Sequence, residues 1–293
     1  MRTKLFFGVA AMALLTSCES VFTEDVEVIL GTEPSDMTFS AVIAGNTSTR
    51  TALSDEANRD GCYSLYWTKG DAISISDGES TAIFTTESDG TSSGEFTREE
   101  GRIDGDAYFY TAFYPSSITS GNMTLPAKQN YVPDNVEKFP MYAKSYTKDL
   151  EFKNLCGIIR LSLKSEESGS IEVSGISLSA DNAGMSGSFT VGTDGAAEVD
   201  GEDGVQLTCA QPVTLYKNLE TDFNIIVPKG SYNPLKVKIS SADGKEANLV
   251  SEAAVNVNRS GITKITITLD SSSFDSSLEM IPITESDVEF TDR

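Results

Sequence analysis

The sequence predicts an all-β fold built as two tandem sandwiches. Three observations carry this. Short apolar runs alternate with Ser and Thr along most of the chain, the period of a half-buried strand. Gly, Asn and Asp punctuate those runs at turn spacing. No long stretch shows the 3.6-residue period of an amphipathic helix. The length, 293 residues, suits two domains of ordinary size.

The first seventeen residues read as a targeting segment. Arg2 and Lys4 are its charged end, and Leu5–Leu15 is an apolar run of eleven residues, shorter than the roughly 20 a membrane helix needs. Leu15-Thr16-Ser17-Cys18 follows, an aliphatic residue and two small ones before a cysteine. It resembles a bacterial lipobox, which implies cleavage before Cys18 and acylation of its sulfur. Two or three acyl chains anchor a protein stably, whereas one does so marginally. Residues 18–36 are acidic and read as a tether.

The first sandwich is expected over residues 37–148. Met37, Phe39, Ala41 and Ile43 alternate with smaller or polar residues, then Gly45–Thr49 reads as an exposed loop ending at Arg50. Further strands are expected at 62–67, 72–76, 82–84, 95–96, 106–115, 125–132 and 139–145. Trp67, the single tryptophan, is expected as a core anchor. The composition shifts at Thr147-Lys148-Asp149, and a second sandwich is expected over 149–270. It opens on Leu150–Leu163, read as one central strand covered on both faces. It ends on Ile262–Leu269, the most regular alternation in the chain. Asp270–Ser277 reads as a serine-rich linker. Residues 271–293 form a tail in which Leu278, Met280, Ile281 and Ile283 suggest an edge strand, or a strand carried for another molecule.

Composition excludes several functions. The formal charge is −22, from 22 basic and 44 acidic residues, a surface that repels nucleic acid. There is no histidine, so Ser-His-Asp and Cys-His catalysis and histidine metal sites are excluded. Carboxylates abound, and two suffice for glycoside hydrolysis. They cluster in turns such as Asp104-Gly105-Asp106 and Asp200–Gly204, where turn chemistry explains them. The acidic turns lack the EF-hand calcium pattern, and no cofactor is expected. With Cys18 acylated, Cys62, Cys156 and Cys209 remain. Cys156 lies in an apolar run and suits a buried thiol; a Cys156–Cys209 disulfide is the alternative in an oxidising compartment.

Read together, these pieces resemble the fimbrillins, lipoprotein subunits of type V bacterial pili. The resemblance rests on the lipobox at Cys18, on Thr49-Arg50-Thr51 after a strand, on Trp67-Thr68-Lys69-Gly70-Asp71-Ala72-Ile73 and on Phe113-Tyr114-Pro115. Leu155-Cys156-Gly157-Ile158-Ile159-Arg160 and Arg259-Ser260-Gly261-Ile262 complete it. It implies two transthyretin-like Greek-key β-sandwich domains and delivery to the outer membrane. An arginine-specific protease would cut at Arg50, with Arg59 the alternative. The first strand, bearing Met37, Phe39, Ala41 and Ile43, would leave a groove, and a neighbouring pilus subunit would fill it by β-strand exchange. Leu278–Arg293 would be the donor tail, although Pro282 removes one ladder hydrogen bond from it. The rival reading is a surface-tethered glycan-binding lipoprotein, in which exposed Tyr63, Tyr66, Tyr108, Tyr110 or Tyr114 stack on host or other sugars. The simpler account sends those tyrosines into the core.

Overall fold

Strands make up almost all the regular structure, and among the described residues the only helical elements are two short 3-10 turns. The computed structural model describes residues 37–44, 65–119, 121–136, 138–167, 171–191, 197–200, 204–275 and 280–291. Cys18, Arg50, Arg59, Cys62, Tyr63 and Leu278 lie outside them. The all-β expectation holds. The described residues fall in one compact unit, 36–293, with two clusters of buried apolar side chains.

The first cluster fills a closed barrel. Its strands are β1 (Thr38–Ile43), β2 (Ala72–Ser76), β3 (Thr81–Thr86), β4 (Ser93–Gly101) and β5 (Tyr110–Tyr114). After β6 (Asn122–Leu125) and β7 (Lys128–Asn130), which leave the barrel, come β8 (Met141–Ser145) and β9 (Asp149–Asn154). Around the barrel the order is β1-β4-β3-β2-β5-β8-β9. It closes because β1 pairs on both sides, antiparallel to β4 and parallel to β9.

The second cluster lies between two sheets. Their strands come from β10 (Cys156–Ser165), β11 (Glu172–Ala180), β14 (Val205–Thr214), β15 (Thr221–Pro228), β17 (Leu235–Ser241), β18 (Glu246–Ser251), β20 (Ile262–Leu269), β21 (Ile281–Ile283) and β22 (Val288–Thr291). One sheet runs β15-β10-β20-β22 and the other β21-β18-β17-β11-β14-β7. Two smaller pairings are peripheral. The hairpin β12 (Gly187–Val191) and β13 (Ala197–Asp200) joins β6, and β16 (Gly230–Tyr232) joins β19 (Val255–Val257).

The apolar run Leu150–Leu163 is two strands, not one. Leu150 and Phe152 face the barrel core, and β9 pairs with β1 and β8. Leu155 then donates its N–H to Pro140 O at 2.9 Å, which ends that ladder. From Cys156 the chain pairs with β15 and β20 instead. The ladder partners therefore change at Leu155. β10 is buried along nearly its whole length, as a strand covered on both faces should be. Cys156 and Ile158 belong to the first core; Ile159, Leu161 and Leu163 belong to the second.

Two motifs from the sequence meet at this crossing. Ser260 N–H donates to Cys156 O at 3.0 Å, Ile158 N–H to Gly261 O at 3.0 Å, and Arg259 Nε to Asn154 O at 2.8 Å. Gly157 is required by the close approach: a Cβ there would lie 2.2 Å from Asn258 O and 2.5 Å from Val257 Cγ1. Gly157→Ala is expected to destabilise the fold by about 1–3 kcal/mol, the usual cost of overpacking. A lower urea midpoint with an unchanged m-value would register it.

The two flanks of the second sandwich are closed differently. On one flank β7 extends β14 in parallel. The Gln129 amide spans to the other sheet, donating from Nε2 to Ile226 O at 2.7 Å and accepting from Ile226 N–H at 3.0 Å. A side chain thus supplies the two hydrogen bonds a neighbouring strand would make to the β15 edge. Gln129→Leu is expected to cost about 1–3 kcal/mol by leaving both Ile226 groups unpaired, measurable by thermal melting. On the opposite flank the C-terminal tail covers both edges, β21 on β18 and β22 on β20.

The serine-rich stretch after Leu269 is partly ordered rather than a plain linker. Asp270 accepts from Ser273 N–H and caps a 3-10 turn over Ser271–Phe274, and Phe274 is buried in the second core. Cys156 and Cys209 are both free and buried, so the disulfide alternative is not realised. Burial pushes their thiols up to about 12 and about 11, which leaves them protonated and unreactive at neutral pH.

Candidate functional site: the cleft occupied by β1

β1 fills a cleft between β4 and β9. Phe39, Ala41 and Ile43 are buried on its inner face, and Met37 is half-buried against the same core. Val42, on the outer face, is 41% exposed. This is the alternation the sequence predicts, and it places the apolar residues inward. Leaving water stabilises Phe39 and Ile43 by about 1.5–3 kcal/mol each. The cleft floor is aromatic. Phe39 meets Phe84 at 5.0 Å and Tyr110 at 4.9 Å, both edge to face.

Trp67 lies under the middle of β1. It is fully buried, packs edge-on against Phe96, Tyr114 and Phe152, and donates Nε1–H to Ala41 O at 3.3 Å. β1 therefore satisfies the one polar atom of the core anchor. Its other bonds run to both neighbours. Ile43 N–H donates to Ser92 O at 3.2 Å, Ser40 N–H to Lys148 O at 3.0 Å and Ala44 N–H to Phe152 O at 2.6 Å. Ser40 Oγ donates to Asp149 Oδ1 at 2.5 Å.

Two sequence motifs converge beside Trp67. Gly70 takes a φ of +85°, the left-handed region that glycine enters freely, and makes the turn of Trp67-Thr68-Lys69-Gly70-Asp71. Asp71 closes it, accepting from Thr68 N–H at 2.7 Å. Its other oxygen accepts from Tyr114 OH at 2.8 Å, so the Trp-Gly-Asp turn and Phe113-Tyr114-Pro115 are one unit. Burial, and then the Asp71 carboxylate, raise the Tyr114 hydroxyl well above the usual phenol range. Nothing in the sequence pairs Asp71 with Tyr114, because one lies in the turn before β2 and the other on β5, 43 residues apart.

Two of the expected donor residues, Ile281 and Ile283, already pack on the second core. Ile283 is buried and Ile281 packs against the second core, while Met280 is 51% exposed. Pro282 sits on an edge strand opposite Val250, a position where a missing N–H is tolerated. Between β21 and β22, Thr284 begins a short turn in which its N–H donates to Asp287 Oδ2 at 2.8 Å. Of the tyrosines proposed for sugar stacking, Tyr110 and Tyr114 are buried, Tyr66 is half-buried and Tyr108 is exposed. Among the described residues there is no group of His, Cys, Asp and Glu side chains suited to a metal ion.

No protein-family model matches the chain, and neither does any curated protein. Solved structures do. A Bacteroides ovatus protein named for cell adhesion superposes with a TM-score of 0.52 at 13% identity, over 80% of this chain and 92% of that one. The chain shares the fold of this protein. A Bacteroides uniformis protein, also named for cell adhesion, gives 0.49 at 15% identity over 89% of this chain and 97% of that one. The tip fimbrial protein Mfa3 of Porphyromonas gingivalis gives 0.34 at 10% identity over 86% and 98%. The shared fold rests on the first of these, and identities this low carry over architecture alone.

Proposed function

We propose that the protein is an adhesive subunit of a surface fimbrium, or a surface lipoprotein associated with one. In this reading residues 1–17 direct export, Cys18 carries the acyl chains that hold the chain to outer-membrane lipid, and residues 18–36 are the tether. An arginine-specific protease cuts after Arg50. β1 then leaves, and a strand from another subunit enters between β4 and β9 by β-augmentation. Cutting makes the exchange one-way, because the freed strand no longer has the high effective concentration of a tethered one. Head-to-tail repetition yields a filament. The donor is the tail, with Leu278, Met280, Ile281 and Ile283 as its apolar residues.

The observation that supports this reading best is the position of β1. It is the first described strand, it bonds along both edges, and it carries three buried side chains into an aromatic cleft. The name of the Bacteroides ovatus neighbour supports the adhesive part.

The test is digestion of the folded mature protein with an arginine-specific protease, followed by sequencing of the new N-terminus and size-exclusion chromatography. A fragment beginning at Thr51, together with a shift to oligomers, is the expected result. Cleavage at Arg59 alone, or cleavage without any change in assembly, overturns strand exchange. Trp67 is an internal reporter, since loss of β1 removes the acceptor of its indole N–H. Its emission is expected to shift to longer wavelength on loss of β1 and to return when a strand refills the cleft.

A further inference from the structure

Three barrel loops meet at the end where β1 begins. The β4–β5 loop is joined to the β2–β3 turn by Asp104 N–H, which donates to Asp77 Oδ2 at 2.7 Å. Gly105 lies beside the Met37 methyl group and the Lys148 ammonium of the β8–β9 turn. Two tyrosines project from these loops. Tyr108 is 83% exposed and Tyr146 is 64% exposed. Their ring centroids are 5.4 Å apart with planes at 73°.

Six large apolar or aromatic side chains are well exposed among the described residues, and only these two form a ring pair. Near-perpendicular rings make a corner rather than a flat patch. The turn that carries Tyr146 also bears polar groups. Thr147 Oγ1 is 3.3 Å from Ser145 Oγ and donates to Asp149 Oδ2 at 3.3 Å. Lys144 Nζ stands 5.0 Å over the Phe109 ring.

Exposed rings beside a turn that carries a hydroxyl and a carboxylate match a pyranose. Its axial C–H groups lie against an aromatic face, and its hydroxyls both donate and accept. The apolar area is too small for a protein partner: an aromatic side chain buries about 150–250 Å², whereas a stable interface needs about 800 Å² from each side. The net charge of −22 disfavours acidic sugars by repulsion.

We propose that Tyr108 and Tyr146 form the platform of a binding site for a neutral oligosaccharide, with Thr147 and Asp149 as hydrogen-bonding groups. The proposal deepens the adhesive part of the reading above; Asp149 also accepts from Ser40 Oγ of β1, so the site is tested on the uncut protein, where a failure to bind leaves strand exchange untouched.

The test is calorimetric titration of the intact mature protein with maltoheptaose, cellohexaose, chitohexaose and a neutral β-galactan oligosaccharide. Sialylated and sulfated oligosaccharides serve as controls. Saturable binding of at least one neutral probe is expected. Tyr108→Ala and Tyr146→Ala should each weaken it roughly five- to tenfold, the loss of one stacking contact. Tyr146→Phe should retain most of it. All three variants should melt with the parent, since the rings are exposed. Absence of binding to every neutral probe overturns the proposal. So does binding that survives the double alanine variant, or binding confined to the acidic controls. Self-association in sedimentation that the alanine variants abolish also overturns it, by assigning the corner to a second copy of the chain.

Discussion

Phe39→Ala is expected to destabilise the intact subunit by about 3–5 kcal/mol, the range for emptying a buried aromatic site. The side chain is fully buried and touches two rings edge to face, and each such contact adds about 0.5–1.5 kcal/mol beyond area burial. The rings that line the cavity, Phe84 and Tyr110, are themselves held on β3 and β5, so the site has little room to collapse. A urea titration followed by Trp67 fluorescence measures the effect, because the indole packs in the same core. The strand-exchange reading makes this substitution selective. It should weaken the uncut subunit and leave an assembled filament unaffected, because β1 is then absent. Equal loss of stability before and after assembly would mean that β1 stays in place, and would remove the exchange mechanism.

Asp71→Ala is expected to be next in size. It strips the acceptor from Thr68 N–H and from Tyr114 OH at once. A buried polar group left without a partner costs about 1–3 kcal/mol, which applies to the buried Tyr114 hydroxyl, and the loosened turn adds to it. Tyr114→Phe removes only one of the contacts and should cost less. A double-mutant cycle of Asp71→Ala with Tyr114→Phe measures the coupling between the two motifs, expected in the range of 0.5–3 kcal/mol found for contacting residues. Additive effects would show that the turn and the Tyr114 strand act independently. Because Trp67 is held between the turn and Tyr114, the loss should also register as a change in its near-ultraviolet circular dichroism.

Local patterning made much of this fold legible. The alternation through Met37–Ile43 identified both the strand and its buried face. The Ile- and Leu-rich character around Ile158–Leu163, despite Arg160 and Ser162, identified a strand covered on both sides. Trp67 was legible as an anchor because the single tryptophan of the chain carries the largest apolar ring, which has few other places to go. The failures have a common physical cause. Leu150–Leu163 reads as one strand because both halves are apolar, and only the partners of Asn154 and Cys156, distant in sequence, divide it. Phe274 was masked by its serine neighbours, whose hydroxyls cap a turn instead of solvating a linker. Gln129 carries no signal at all, since its role as a surrogate strand depends on Ile226. The same holds at the candidate sites. The β1 side chains were readable from their period, but the Tyr108–Tyr146 corner arises from two loops and Tyr146 carried no local signal.

The two flanks of the second sandwich differ in how their covering segments are held. Gln129 belongs to a stretch fixed at both ends, between β6 and β8, so it can leave the β15 edge only if the molecule opens around it. Among the described residues no strand follows β22, so the tail can peel away pair by pair, starting from Thr291, without another described strand giving way. Under mechanical load on that end, the tail should therefore unzip at low force while the rest of the sandwich resists. A single-molecule pulling trace would then begin with a short extension that reverses on relaxation, ahead of the main rupture.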